Sequence, residues 1–169
     1  MGDDLITAAD AVLDRAFTLA APPEQVWPWL SQLGKQRAGW YLPRSIERFI
    51  PPRRRALRTI DPRWQNLRVA DVIPDYGGRH ETFQVAHLDP PHALVYTSQR
   101  GRMQVSWSLT LTPIPAGLDA TIRHTRLHLR LRLGPIRRRW LVVTGGDLLD
   151  VLTVAGLAAG LGERLQGPA

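Results

Sequence analysis

The feature that most constrains the fold is a strict alternation of side chains from Met103 to Thr112. Polar residues occupy every second position and apolar residues the positions between them. Successive side chains of a β-strand point to opposite faces of its sheet, so this run predicts a strand with one buried and one solvated face, as is typical of antiparallel sheets. The expected buried set is Met103, Val105, Trp107, Leu109 and Leu111.

Two shorter runs precede this strand and have the same character. Glu81–Leu88 alternates with a period of two, and Ala93–Ser98 follows as a second strand-like run. Asp89-Pro90-Pro91 and Arg100-Gly101 separate the runs with residues that favour turns. Together the three runs predict an antiparallel meander.

The N-terminal part predicts a strand followed by a helix. Arg15–Leu19 alternates like a strand, and the helix is expected to begin at Pro23, because proline is favoured at the first helical position. Glu24 suits the positive end of a helix, and apolar residues recur at helical spacing up to Gly34. We expect Pro28 either to kink this helix or to tighten its first turns.

The stretch from Arg37 to Asp71 has no clear period. It is basic and contains several aromatic residues, and Ser45–Phe49 predicts one short helical turn. Long irregular connections in compact domains usually close over something or bind something.

The apolar phase changes in the last strand. Apolar residues hold even positions at Leu118, Ala120 and Ile122, whereas from Leu127 to Leu133 they hold odd positions. A shift of one residue between Arg123 and Arg126 predicts a β-bulge, a feature that re-aims side chains. If the even phase continues up to the shift, His124 points to the interior.

The C-terminal part predicts a helix over about residues 147–165. Thr144–Asp147 resembles a capping signal, and apolar residues then continue to Leu165. Asp147 and Asp150 would together cost about 5–7 kcal/mol in a bilayer, which the ten Leu and Val residues around them do not offset. We therefore expect no transmembrane span and a helix buried against the sheet.

Several segments resemble one known family. Val26–Gly34, Arg37–Tyr41, Trp64–Asp71, Phe83–Val95 and Ser106–Leu109 are similar, in the same order, to segments of the START-like helix-grip superfamily, in particular its SRPBCC or polyketide cyclase/dehydrase group. The resemblance implies a single α+β domain over residues 1–169. In it a curved antiparallel sheet wraps around a long C-terminal helix, two short helices follow strand 1, and a hydrophobic cavity separates the sheet from the last helix.

The family shares no catalytic triad that could be transferred, so candidate site residues come from this sequence. A half-buried imidazole titrates near neutral pH, which makes His124 a candidate general acid or base, although an inward histidine is more often a core residue with its hydrogen bonds satisfied. Tyr41 is a second candidate for moving a proton. Arg126 could stabilise an enolate or phenolate.

The candidate ligand-binding residues are those expected near the cavity. Arg37 and Trp40 could meet a ligand or could serve packing and solvation, Gln32 could orient a ligand or cap a turn, and Trp107 could line a cavity or fill the core. The small residues of the last helix either let it approach its neighbours or leave room for a ligand. The set is Gln32, Arg37, Trp40, Phe83, Val105, Trp107, Gly156 and Gly160.

The formal net charge of +7 permits attraction to anionic partners. Basic residues cluster at Arg53–Arg55, at Arg137–Arg139 and along Arg126–Arg132, but aromatic residues are only 7% and mostly in the apolar phase, so we expect no specific nucleic-acid binding. A solvated basic face, or weak attraction to anionic lipid, fits better. The chain has no cysteine, no metal-ligand spacing and no nucleotide-binding motif, so we expect neither metal nor cofactor.

These observations favour binding of a small hydrophobic molecule that is polyketide-like, aromatic or lipid-like. Whether the domain also catalyses cyclisation, dehydration or aromatisation is left open. The alternatives are a non-catalytic carrier or sensor of a hydrophobic metabolite, and an interaction module that uses the basic surface. A homodimer is compatible with the sequence, and the lack of a signal peptide at the N-terminus predicts a cytoplasmic bacterial protein of biosynthetic metabolism.

Overall fold

The computed structural model describes residues 2, 4–6, 8–115, 123–136 and 147–167, and only the backbone of residues 147–151. Helices are short except for the last, and two 3-10 turns cover Pro52–Arg54 and Pro62–Trp64. The strands are β1 (Ala11–Leu19), β2 (Val72–Pro74), β3 (Thr82–Asp89), β4 (Ala93–Arg100), β5 (Met103–Ile114) and β6 (His124–Gly134). The helices are α1 (Pro23–Gln32), α2 (Arg44–Glu47) and α3 (Asp147–Leu165).

The six strands form one antiparallel sheet in the order β1-β6-β5-β4-β3-β2. The meander β3 to β5 is therefore present as the alternation predicts, and β6 joins it to β1. With α3 as the one long helix of the described residues, the curved sheet gives the α+β helix-grip architecture expected from the sequence. That prediction is confirmed.

The inner face of the sheet carries the odd-numbered side chains of β5 and β6. Leu109 pairs with Leu129, and both are buried in the same core as Leu157 and Leu161 of α3. Removing such side chains from water stabilises the fold by roughly 1.5–3 kcal/mol each. Among the described residues, no helix has the length and apolar character to cross a membrane.

The predicted bulge in β6 is not present in the described strand. β6 pairs with β5 without interruption from His124 opposite Ile114 to Gly134 opposite Gln104. The odd phase reaches back to Thr125, which is fully buried although polar, because its Oγ1 donates to the carbonyl of Ala21 at 2.7 Å. Because Thr125 is polar, the alternation of apolar residues did not show that this position faces inward. Residues 118–122 lie outside the described part of the chain. The register shift of this sheet lies in β3 instead, between Val85 and His87.

The other element boundaries differ from the sequence predictions by a few residues. β1 begins at Ala11, four residues before the predicted Arg15, and α1 continues through Pro28 to end at Gln32. The predicted capping residues Thr144–Gly146 and the cluster Arg137–Arg139 lie outside the described residues.

The outer face of β1 and β6 carries the predicted basic stripe. His128 and Arg130 each lie 2.8 Å from a carboxylate oxygen of Asp14, and the hydrogen bond from Arg130 lowers the pKa of that carboxyl group. Further along, Arg132 donates to the carbonyl of Ile6, a buried residue of the N-terminal segment. The stripe therefore takes part in holding neighbouring segments onto the sheet.

The irregular stretch after α1 is held to α3 by close contact at two glycines. A Cβ on Gly160 would lie 2.6 Å from the backbone nitrogen of Leu42 and from the carbonyl carbon of Tyr41, and one on Gly156 would lie 2.7 Å from the Leu42 side chain. These distances are far below ordinary van der Waals contact. Glycine is therefore required at position 160 by the approach of another backbone.

We expect Gly160→Ala to destabilise the protein by about 1–3 kcal/mol, because its Cβ meets backbone that cannot rotate away. Gly162→Ala on the same helix is the matched control, since nothing lies within 4 Å of its Cβ. It should gain up to about 1 kcal/mol from the higher helix propensity of alanine. Urea unfolding measures both changes, and a Gly160→Ala variant as stable as the parent would contradict the contact.

Candidate functional site

A cavity of about 530 Å³ lies between the inner face of the sheet and the first half of α3. Its walls are almost entirely apolar, and Tyr76 and Gly77 are exposed members of the lining, which mark where it opens to solvent. The apolar and aromatic lining residues are Leu13, Trp40, Tyr76, Phe83, Met103, Val105, Trp107, Leu129, Leu131, Leu133 and Val154.

Aromatic rings build one wall of the cavity around Trp107. The ring centroid of Trp107 lies 5.9 Å from that of Trp40 and 5.7 Å from that of Tyr96, and both pairs are stacked. Phe83 lies 6.0 Å from Trp107 in a tilted arrangement. Aromatic pairs at these separations attract one another beyond simple burial, so the wall is pre-formed.

Trp40 connects this wall to the helix. Its indole Nε1 donates to the backbone carbonyl of Thr153 in α3 at 3.4 Å. Its ring also meets Tyr76 edge to face, with centroids 6.5 Å apart. Because Tyr76 is 56% exposed, Trp40 spans the distance between the buried wall and the opening.

A small polar group lies at one side of the cavity. Arg100 and Asp75 form an ion pair, and the Arg100 guanidinium lies 5.4 Å from the centre of the Phe83 ring. Lys35 fixes the loop that carries Asp75, because its ammonium group donates to the carbonyls of Asp75 and Gly78 at 2.9 and 3.0 Å. The sequence analysis did not single out any of these residues.

Arg15 is another lining residue that the sequence analysis missed. It occupies the inward phase of β1, between Leu13 and Phe17, and lines the cavity opposite Leu129. The signal was available in the sequence, because a cation at an odd position of this strand breaks an otherwise apolar face. The predicted strand began at Arg15, so the apolar residue Leu13 on its N-terminal side was not part of the predicted face.

The predicted ligand-binding residues divide into two groups of four. Trp40, Phe83, Val105 and Trp107 line the cavity. Gln32, Arg37, Gly156 and Gly160 do not, and the contacts of the two glycines with Tyr41 and Leu42 account for them as packing positions.

Gln32 and Arg37 serve the loop that follows α1. The Gln32 amide oxygen accepts from the backbone of Asp61 at 2.9 Å, and its nitrogen donates to the carbonyl of Thr59 at 3.2 Å. Arg37 donates to the carbonyls of Ser31 and Trp64 at 2.7 and 3.1 Å. Both side chains therefore form hydrogen bonds with backbone groups of an irregular segment that has no sheet hydrogen bonds of its own.

Tyr41, a predicted proton-transfer residue, lies outside the cavity lining and is fully buried. Its hydroxyl donates to the carbonyl of Trp29 at 2.8 Å, and the guanidinium of Arg164 lies 4.6 Å from its ring centre. Burial raises the pKa of Tyr41 far above its ordinary value, so the hydroxyl remains protonated at neutral pH. The geometry assigns it a structural hydrogen bond.

His124 and Arg126, the other two predicted catalytic residues, share the even phase of β6 with His128. That phase faces away from the cavity, whose β6 lining is the odd-numbered Leu129, Leu131 and Leu133. The sheet therefore stands between these two residues and any molecule in the cavity.

The titratable groups that do line the cavity are Arg15, Asp75, Tyr76 and Arg100. Asp75 and Arg100 form an ion pair, and Glu81 lies 3.8 Å from the same guanidinium. In the part of the chain that the structure describes, no three His, Asp or Glu residues come together as a metal site would require. The arrangement is thus suited to holding an apolar molecule with one polar group more than to moving protons.

The fold and cavity agree with one family of known proteins. The family model described as "Polyketide cyclase / dehydrase and lipid transport" matches residues 10–163, nearly the whole chain. The chain belongs to this family. The resemblance noted in the sequence is therefore confirmed, while the individual site residues are not assigned by the match.

Solved structures share the fold of this polyketide cyclase/dehydrase family member. A protein from Rhodobacter sphaeroides is 17% identical, with a TM-score of 0.56 and 96% of each chain covered. MLL2253 from Mesorhizobium loti is 19% identical, with a TM-score of 0.52, covering 94% of this chain and 99% of its own. DynU16, from the dynemicin biosynthetic locus, is 15% identical, with a TM-score of 0.51, covering 92% of this chain and 47% of its own. No curated protein matches the chain.

We expect Tyr41→Phe to lower the free energy of unfolding by about 1 kcal/mol, because the buried carbonyl of Trp29 loses its donor. Binding of a hydrophobic probe in the cavity should not change. Tyr76→Phe is the control for stability, since the Tyr76 side chain is largely exposed. Chemical denaturation of the three proteins measures the difference, and loss of probe binding in Tyr41→Phe would count against a purely structural role.

Proposed function

We propose that this family member binds a small hydrophobic molecule with a flat ring in the cavity between the sheet and α3. The observation that carries the proposal is the cavity itself, about 530 Å³ in volume, with Trp40, Phe83 and Trp107 in its wall. Ligand cavities commonly measure about 300–1,000 Å³ and have mainly apolar and aromatic linings. A cavity of this size and lining suits a small aromatic molecule.

The polar lining residues suggest how such a ligand is oriented. Arg15 and Arg100 present guanidinium groups to an otherwise apolar space. A guanidinium binds carbonyl, phenolate and carboxylate oxygens through a planar fork of donors. We infer that an oxygen-bearing end of the ligand lies near these residues and that its apolar part contacts the aromatic wall.

Carriage or sensing is supported better than catalysis. Among the described residues that line the cavity, the carboxyl and phenol groups that could exchange a proton belong to Asp75, which Arg100 binds, and Tyr76. General acid–base catalysis needs a group with a pKa near the working pH within hydrogen-bond reach of the reacting atom. The family's name includes cyclases, so confinement of a reactive chain in a near-attack shape is the route by which this cavity could still promote cyclisation.

A relative from a biosynthetic locus supports one class of ligand. DynU16 shares this fold and belongs to the dynemicin biosynthetic locus. At 15% identity it carries no residue assignment, yet a polycyclic metabolite would suit a cavity of this size and lining. The proposal therefore favours a polyketide-like aromatic ligand over a long flexible acyl chain.

Val154→Trp tests the proposal by filling the cavity from α3. With the neutral fluorescent probe N-phenyl-1-naphthylamine, we expect affinity to fall by about tenfold or more, the equivalent of losing one side chain's apolar contact. Leu152→Trp is the matched control, because Leu152 on the same helix is 62% exposed and does not line the cavity. It should leave the affinity within about twofold.

Native mass spectrometry of the purified protein completes the test by detecting any molecule that it retains. A retained aromatic compound lost from Val154→Trp but kept by Leu152→Trp would support the proposal. If the wild-type protein neither binds the probe nor retains a molecule, or if both variants weaken binding equally, the cavity is not the binding site.

A further inference from the structure

A second surface combines an exposed aromatic ring with positive charge. Phe49 is 77% exposed, more than any other large hydrophobic side chain of the described residues. It belongs to residues 48–55, here called the basic loop, none of which lines the cavity. The arginines of this loop are Arg48, Arg53, Arg54 and Arg55, and all of them are exposed.

The basic loop has a defined shape. Arg55 donates from its guanidinium to the carbonyls of Ile50 and Arg48 at 2.8 and 3.3 Å, which closes the loop around its two prolines. The guanidinium of Arg48 lies 4.6 Å from the centre of the Phe49 ring. The Phe49 ring is thus exposed to solvent on a closed loop and makes a cation–π contact with Arg48.

The positive charge of the loop is not neutralised locally. None of its four arginines has an acidic partner among the described residues. Glu47, which precedes Arg48 in the chain, is bound to Arg58 and Arg164, and Glu163 of α3 is bound to Arg58. An exposed cationic surface of this density attracts anions from a distance of about one Debye length.

We propose that the basic loop binds the surface of an anionic lipid bilayer, with Phe49 in the interfacial layer and the arginines at lipid phosphates. Aromatic rings favour the membrane interface, and guanidinium groups bind phosphate through paired hydrogen bonds. Each arginine near an anionic bilayer strengthens binding about fivefold. This surface is separate from the cavity, so the proposal does not depend on the proposed function.

The structure favours lipid over nucleic acid as the partner. Proteins that bind single-stranded nucleic acid stack successive bases on several aromatic side chains, whereas Phe49 is the one aromatic residue of the basic loop. Ile46, three residues earlier, is 46% exposed and extends the apolar surface beyond the ring. An apolar patch bordered by arginines matches the boundary between acyl chains and phosphates.

Sedimentation with vesicles of phosphatidylcholine, with and without phosphatidylserine, measures the binding. The protein should bind only the vesicles that contain phosphatidylserine. Replacing Arg48, Arg53 and Arg54 together by Gln should weaken binding about 100-fold, and Phe49→Ala about tenfold. The matched control replaces Arg79, Arg102 and Arg123 by Gln, which removes the same charge from other exposed positions and should change binding less than about threefold.

A label reports whether the ring enters the bilayer. The chain has no cysteine, so Phe49→Cys gives a single site for an environment-sensitive fluorophore. Its emission should shift to the blue with anionic vesicles. The same label on Val69→Cys, an exposed apolar position outside the loop, should show no shift.

Each contrary outcome overturns the proposal. These are absence of binding to anionic vesicles at physiological salt, equal loss of binding in both triple variants, and an unchanged label at position 49. Tighter binding of a single-stranded oligonucleotide that depends on the loop arginines but not on Phe49 would assign the surface to nucleic acid instead. Thermal unfolding of each variant confirms that these exposed changes leave the fold intact.

Discussion

The buried guanidinium of Arg164 is the interaction on which the arrangement of helix and loops depends. Its side chain is fully buried and binds Glu47 at 2.7 Å, while its remaining nitrogens donate to the carbonyls of Leu42, Leu57 and Gly160. Burying an ion pair costs several kcal/mol per charge unless further hydrogen bonds satisfy it. Here the acceptors lie at three positions of the irregular stretch after α1 and in α3 itself. The hydrogen bonds of the buried guanidinium are therefore satisfied only when these segments pack together.

This contact of Arg164 is consistent with the different surroundings of α3 at its C-terminal end and around Val154. Near Arg164, Gly160 brings the helix against backbone and Leu161 is fully buried. Two to three turns earlier, Val154 lines the cavity and Thr153 receives the Trp40 hydrogen bond. Polar contacts thus hold the helix at its C-terminal end and at Thr153, and the apolar volume beside Val154 can remain available to a ligand.

Local sequence patterns predicted the elements whose burial follows the periodicity of their side chains. They did not predict contacts between a side chain and backbone that is distant in the sequence. The alternation around Trp107 identified the inner face correctly, because its burial follows from period two alone. His124 was placed inward by the same rule, and this failed because Thr125 replaces an apolar residue at the inner position. Tyr41 and Gln32 looked like site residues, yet their partners lie in segments whose positions no local pattern reveals.

Several arginines of this chain make contacts that a lysine could not make. Lysine offers one point of charge, whereas arginine offers a planar set of five donors that can satisfy several carbonyls at once. Arg37 joins the carbonyls of Ser31 in α1 and Trp64, and Arg58 bridges the carboxylates of Glu47 and Glu163, so each connects two separate segments of the chain. Because Glu47 and Glu163 are bound to these buried or half-buried arginines, they do not neutralise the charge of the arginines at the surface. The ion pairs that Arg58 and Arg164 form with these carboxylates therefore also leave residues 48–55 strongly positive.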